Sequence, residues 1–223
     1  MNRITTGIKT LDSIIDGGFP ENSTILISGS PGSGKTLFSL NFLLEGARKN
    51  ERCCYISLSE TKDELIKACE GIKQLNEVKK HLGKTLAIEH ITLGEDISIK
   101  RFIEIIGRYP KIDRIVLDNI NKLLLFAENK RSYRTAFFKL LKHLKKAKCS
   151  LILCETEEGK IDSGNNEAFD VDGVIQLSFL DFEEKPKRTL SIHKMRYTPF
   201  EPKIHHEFVI TKNSINLTKT KII

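Results

Sequence analysis

The 223-residue chain lacks several features, and each absence narrows what it can be. No apolar run approaches the roughly 20 residues of a membrane-spanning helix. The opening Met-Asn-Arg-Ile-Thr-Thr-Gly holds no apolar stretch of the signal-peptide kind. A cytoplasmic location without a membrane partner is therefore expected. The five cysteines, Cys53, Cys54, Cys69, Cys149 and Cys154, are odd in number and form no C-x-x-C pair. That argues against a disulfide framework or a thiolate metal site. Cys53, Cys54 and Cys154 stand in apolar runs, so buried free thiols are predicted. There is no internal repeat, low-complexity tract or Gly/Ser/Pro-rich linker, so one domain over residues 1–223 is expected. A net charge of +7 permits a polyanionic partner but does not require one.

What is present is Gly29-Ser30-Pro31-Gly32-Ser33-Gly34-Lys35-Thr36, followed by Leu37. It is a complete G-x-x-x-x-G-K-[ST] phosphate-binding loop. A triphosphate needs many N–H donors converging on it, and a glycine-rich backbone supplies them. Lys35 would reach the β- and γ-phosphates, and the Thr36 hydroxyl would ligate Mg2+. The flanks agree. Thr24–Ser28 is a β-branched, strand-like run, and Lys35–Lys49 carries apolar residues at helical positions with Gly46 its one weak spot. Strand, loop and helix in that order aim a helix N-terminus at an anion. ATP and Mg2+ are the expected ligands, bound through Gly29–Leu37.

Strand-like and helix-like segments alternate over most of the chain. Strands are expected at Cys53–Leu58, Leu86–Ile91, Arg114–Asp118 and Ser150–Cys154. Helices are expected from Thr61, which would cap, to Cys69, at Ile99–Arg108, ended by Tyr109-Pro110, and at Ser132–Lys148. Beyond Gly173 the pattern changes to consecutive strands, Val174–Leu180, Arg188–Arg196, Ile204–Ile210 and Ser214–Leu217. This predicts an α/β fold: a mostly parallel central sheet flanked by helices, with a C-terminal antiparallel meander. The lysines of Ser132–Lys148 lie opposite Tyr133, Phe137, Leu140, Leu141 and Leu144, and read as a solvated face.

Two carboxylates suit triphosphate chemistry. Asp118 ends an apolar strand, where such proteins place the residue that orders the metal's water shell. Glu60 follows the strand after the loop helix, where a branch of phosphate-loop proteins that this chain resembles places a glutamate that orients water. Its plainer reading is a helix N-terminal acid that complements the dipole.

Further segments add detail. They are Thr6-Gly7-Ile8, Leu11-Asp12, Gly17-Gly18-Phe19-Pro20, Tyr55-Ile56-Ser57-Leu58-Ser59-Glu60-Thr61 and Lys194-Met195-Arg196-Tyr197-Thr198. With the phosphate loop, and in this order, they resemble a single-domain KaiC-like ATPase of the RecA superfamily, of the archaeal type related to RadA paralogues. The resemblance runs from about Ile4 to Leu217. It implies a RecA-like P-loop fold, ATP hydrolysis and a homo-oligomer, most simply a hexameric ring. It also implies that Lys194 and Arg196 reach a neighbouring subunit's γ-phosphate. Strand alternation would put both on the face that carries Leu190 and Ile192, and neither has an acidic neighbour in sequence. Lys35, Glu60, Lys194 and Arg196 are thus the expected catalytic set, with Thr36 and Asp118 at the metal.

The chain departs from the family at Ser59, where the first of two adjacent glutamates is usual. A serine cannot take water's proton at neutral pH, so slow turnover through Glu60 is expected, or a non-hydrolysing ATP sensor. A RadA-like single-stranded-DNA accessory protein is a further alternative. The loop region 119–134 carries net +3, but 155–170 carries net −5. An acidic loop would repel a phosphate backbone.

Overall fold

The computed structural model describes residues 1–92, 99–109, 111–157, 159–182 and 185–222. A two-stranded sheet, β1 (Arg3–Ile4) and β2 (Phe19–Pro20), brackets α1 (Lys9–Ile14). Then follow β3 (Ser23–Gly29), α2 (Lys35–Arg48), β4 (Cys53–Ser57), α3 (Lys62–Glu70) and a 3-10 turn that leads into α4 (Val78–His81). The next elements are β5 (Leu86–His90), α5 (Ile99–Gly107), β6 (Arg114–Asp118), α6 (Ile120–Leu124), α7 (Lys130–Leu144), β7 (Cys149–Glu155) and α8 (Glu167–Asp170). Four strands end the chain: β8 (Gly173–Phe182), β9 (Lys185–Met195), β10 (His205–Ile210) and β11 (Ile215–Ile222).

The large sheet has the order β11-β10-β9-β8-β3-β7-β6-β4-β5. From β8 to β5 the neighbours are parallel, and from β8 to β11 they form an antiparallel meander. The expected α/β architecture is what the structure shows. The parallel strands β3, β4 and β6 are buried along their whole length, which is why they read as apolar runs rather than alternations. Phe38, Phe42 and Leu43 of α2 cover one face, against Ile25, Ile27, Tyr55 and Val116. Phe102 of α5 and Phe137 and Leu140 of α7 cover the other, against Leu26, Ile56, Ile115 and Leu117.

Local signals explain some of the helix starts. Thr61 caps α3 in a reciprocal capping box with Glu64. Asn129 and Ser132 do the same for α7. The apolar stripe of α7 is buried as expected, and Lys139, Lys142, Lys145 and Lys146 are exposed. Gly46 has a packing reason. A Cβ there would run into the Arg114 side chain, whose buried guanidinium donates to Thr5 O at 2.7 Å, Phe42 O at 2.9 Å and Glu51 at 2.5 Å. All five cysteines are free and buried. Pro110, the expected stop for α5, and Glu158 of the acidic loop lie outside the described residues.

One expectation fails. Lys194 does not share a face with Leu190 and Ile192. β9 carries a bulge: Ile192 pairs with Ile175, but Lys194 pairs with Val174, so His193 is the extra residue. Ile175, Leu190 and Ile192 belong to the core under α2, whereas Val174 belongs to the core under α7. The bulge reverses the alternation and turns Lys194 to the α7 side.

Candidate functional site

The phosphate loop leaves the end of β3 and enters α2 through Gly34, whose φ of +105° suits glycine. A Cβ at Gly29 would run into the Leu177 carbonyl oxygen, and one at Gly34 would stand 2.9 Å from the side chains of Phe208 and Ile210. The loop is thus wedged between β8 and β10, and the glycines are needed for close approach as well as for turning.

Lys35 is buried, and its amine donates to the loop's own carbonyls, Gly29 O at 2.8 Å and Ser30 O at 2.9 Å. Burial lowers its pKa, and the nearby carboxylates of Glu155 and Asp118 oppose that. The Thr36 hydroxyl donates to Glu60 Oε2 at 3.4 Å. Burial raises the Glu60 pKa and the Thr36 bond works against it, while the Ser57 hydroxyl holds the Glu60 amide at 2.9 Å. Asp118 is 4% exposed and accepts the Tyr55 hydroxyl on Oδ2 at 2.5 Å. Burial pushes its carboxyl up to about 6; Glu60 adds to the rise and the Tyr55 bond opposes it. The Asp118–Asn119 peptide is cis.

Lys35, Thr36, Glu60 and Asp118 therefore converge at the C-terminal ends of β3, β4 and β6, where doubly wound sheets bind ligands. The arrangement fits a nucleoside triphosphate with its metal. A buried amine rests on neutral carbonyls, the space beside Gly32 is open, and the Ser33 hydroxyl is buried without a partner. Among the described residues no cluster of three His, Cys, Asp or Glu could hold a metal alone. A cation here would rest on Thr36, on Asp118 through water, and on phosphate oxygens.

Lys194 and Arg196 are not brought to this site. β8 aligns Gly29 with Leu177 and Ile25 with Gly173, and Gly173 pairs with Met195. The two cations thus lie at the other end of β3, about 13 Å or more along the strand from the loop. Lys194 donates to Ala168 O at 3.0 Å and Phe169 O at 2.9 Å. Arg196 has an acidic partner that sequence neighbours did not reveal, Asp172, at 3.1 Å.

Sequence reasoning missed three residues. Tyr55 lies on β4 beside Val116, two positions before Asp118 on the adjacent strand, and strand register could have found it. Glu155 ends β7 opposite Gly29 and is the leading carboxylate acting on Lys35. Arg188 of β9 donates to Gly32 O at 3.2 Å, with its guanidinium over the Phe179 ring.

The basic region after β6 is tied to the acidic one after β7. Arg134 pairs with Asp170 at 2.5 Å and bonds the Asn165 and Asn166 carbonyls, and Lys130 bonds Gly164 O. Two cations that would serve a nucleic-acid backbone are engaged within the chain.

Comparison with known proteins agrees with this geometry. The family described as "ATPase: KaiC" matches residues 4–222. The chain belongs to the KaiC ATPase family. Membership places it among nucleotide-binding ATPases of the KaiC/RecA type. A UPF0273 protein of Pyrococcus furiosus is 28% identical, over 100% of this chain and 96% of its own length. The circadian clock oscillator protein KaiC of Parathermosynechococcus lividus is 28% identical over 95% of this chain, which spans only 41% of that protein. Among solved structures, a KaiC-like protein of Pyrococcus horikoshii superposes with a TM-score of 0.82 at 29% identity, covering 97% of this chain and 99% of its own. The RecA-like fold follows from that match. Among the described residues no helix is long and apolar enough to cross a membrane.

Proposed function

We propose that residues 1–223 act as one cytoplasmic ATPase domain that binds MgATP through Gly29–Leu37 and hydrolyses it slowly. The observation that carries this reading is the convergence of Lys35, Thr36, Glu60 and Asp118 at one end of the sheet. Mg2+, when bound, would neutralise charge developing on the phosphoryl oxygens. Thr36 and Asp118 would hold it. Lys35 would exchange its bonds to the Gly29 and Ser30 carbonyls for phosphate oxygens. Glu60, half-buried with a raised pKa, would accept water's proton.

Lys194 and Arg196 enter the reading from a second copy. They lie at the end of β3 remote from their own loop, so one subunit cannot bring them to its own triphosphate. A head-to-tail interface that repeats by rotation closes a ring, and the family resemblance makes a hexamer the simplest closure. An arginine supplied across that boundary would stabilise the transition state. The nucleotide state would then set the ring's conformation and its partner binding.

A non-hydrolysing sensor is the second reading, and one contact favours it. Ser59 Oγ accepts a bond from Asn119 Nδ2 at 3.4 Å, so the position usual for a base holds a hydroxyl tied to a neutral amide. Particle mass with and without MgATP, run beside a phosphate-release assay, separates the readings. A nucleotide-dependent ring that releases phosphate supports the ATPase. A ring without release supports the sensor. A monomer that hydrolyses MgATP contradicts the trans arrangement.

A further inference from the structure

Tyr55 is fully buried in the middle of β4. The parallel register sets it beside Val116 and sets Ser57 beside Asp118. Val116 and Asp118 are two apart, so both side chains lie on the face that Tyr55 shares, under α2. A diagonal offset of two residues is within reach of an aromatic side chain. The hydroxyl uses that reach to donate to Asp118 Oδ2 at 2.5 Å. Among the described residues this is the one side-chain hydrogen bond to that carboxylate. The Glu60 carboxylate acts on the phenol electrostatically. The phenol therefore contacts Asp118, one of the two residues assigned to the metal.

We infer that Tyr55 is a positioning residue that fixes the Asp118 carboxylate by Oδ2 and leaves Oδ1 for the metal's water shell. The inference rests on the nucleotide reading above. Burial alone explains an aromatic at position 55, and phenylalanine would fill the same space. The hydroxyl is the added element. A buried hydroxyl needs a partner, and this one is spent on the carboxylate whose orientation decides metal geometry. Groups bonded to a metal's direct ligands typically alter its affinity by about 10- to 100-fold. Tyr55 acts one step further out, through Asp118 and a water, so the low end of that range is expected.

The test uses Mn2+ as the probe, followed by its electron paramagnetic resonance signal in the presence of a non-hydrolysable ATP analogue. Tyr55→Phe should weaken Mn2+ binding about tenfold. Its affinity for the analogue without metal should change by less than about twofold. In an Asp118→Asn background, adding Tyr55→Phe should change Mn2+ affinity by less than about twofold, because Tyr55 acts through Asp118. If Tyr55→Phe does not fold, 3-fluorotyrosine at position 55 keeps the ring and strengthens the donor, and should tighten Mn2+ binding. The inference is overturned by unchanged Mn2+ affinity in either Tyr55 variant. It is also overturned by an equal loss with and without metal, which marks a structural role, or by a full loss that persists beside Asp118→Asn. Wild type that binds no analogue under any condition fails the nucleotide reading itself, and this inference with it.

Discussion

Arg196 pairs with Asp172 through Oδ1 at 3.1 Å, and Oδ2 of the same aspartate accepts the Thr24 amide at 3.0 Å. The arginine is thereby anchored to the start of β3, the strand that ends in the phosphate loop. One subunit displays the cation at one end of the strand and the phosphate loop at the other. Arg196→Ala and Lys35→Ala subunits should each be inactive alone. Mixed, they should partly recover phosphate release, because some boundaries then join an intact loop to an intact Arg196. Recovery absent from demonstrably mixed particles would show that Arg196 does not act across a boundary.

Glu60 and Glu155 compete for the role that Ser59 leaves open. Glu60 lies on the Thr36 hydroxyl, whereas Glu155 acts on Lys35. Glu60→Gln should lower kcat at least about 100-fold with little change in ATP affinity, as loss of a general base does. Glu155→Gln should lower it far less. The opposite order in single-turnover kinetics would move the base to β7. Ser59→Glu should raise turnover.

Asp118 should make the nucleotide-free protein less stable at neutral pH. Its folded carboxyl titrates at about 6, above the unfolded value of 3.8, so the folded state prefers the proton. The resulting cost is absent below about pH 4, grows between 4 and 6, and is full above 6, on the order of 3 kcal/mol. Asp118→Asn keeps an acceptor for Tyr55 and removes that cost. It should raise Tm by several degrees at pH 7.5, and by less than about 1 °C at pH 3. A Tm gain that does not depend on pH would refute the assignment.

The parts of this structure that depend on local chemistry were legible in the sequence. The loop motif, the Thr61 cap, the α7 stripe and the burial of β3 and β6 each follow from residues close together in the chain. What was not legible depends on register between strands. The bulge at His193 leaves no local mark, yet it moves Lys194 to the other face of the sheet. Asp172 was invisible as the partner of Arg196 because it lies across the β8–β9 hairpin. Tyr55 stands in the apolar run of β4, and only the β4–β6 pairing shows its hydroxyl on Asp118. Gly46 read as a weak spot in α2 until Arg114, from a distant strand, was seen to fill the space beside it.

The central claim is a triphosphate site at Gly29–Thr36 whose lysine now rests on the Gly29 and Ser30 carbonyls. Equilibrium titration of a fluorescent ATP analogue with Mg2+ tests it most directly, comparing wild type with Lys35→Ala. The account predicts saturable binding to wild type and none to the variant, with both circular dichroism spectra alike. Equal affinity in a folded Lys35→Ala protein would contradict it.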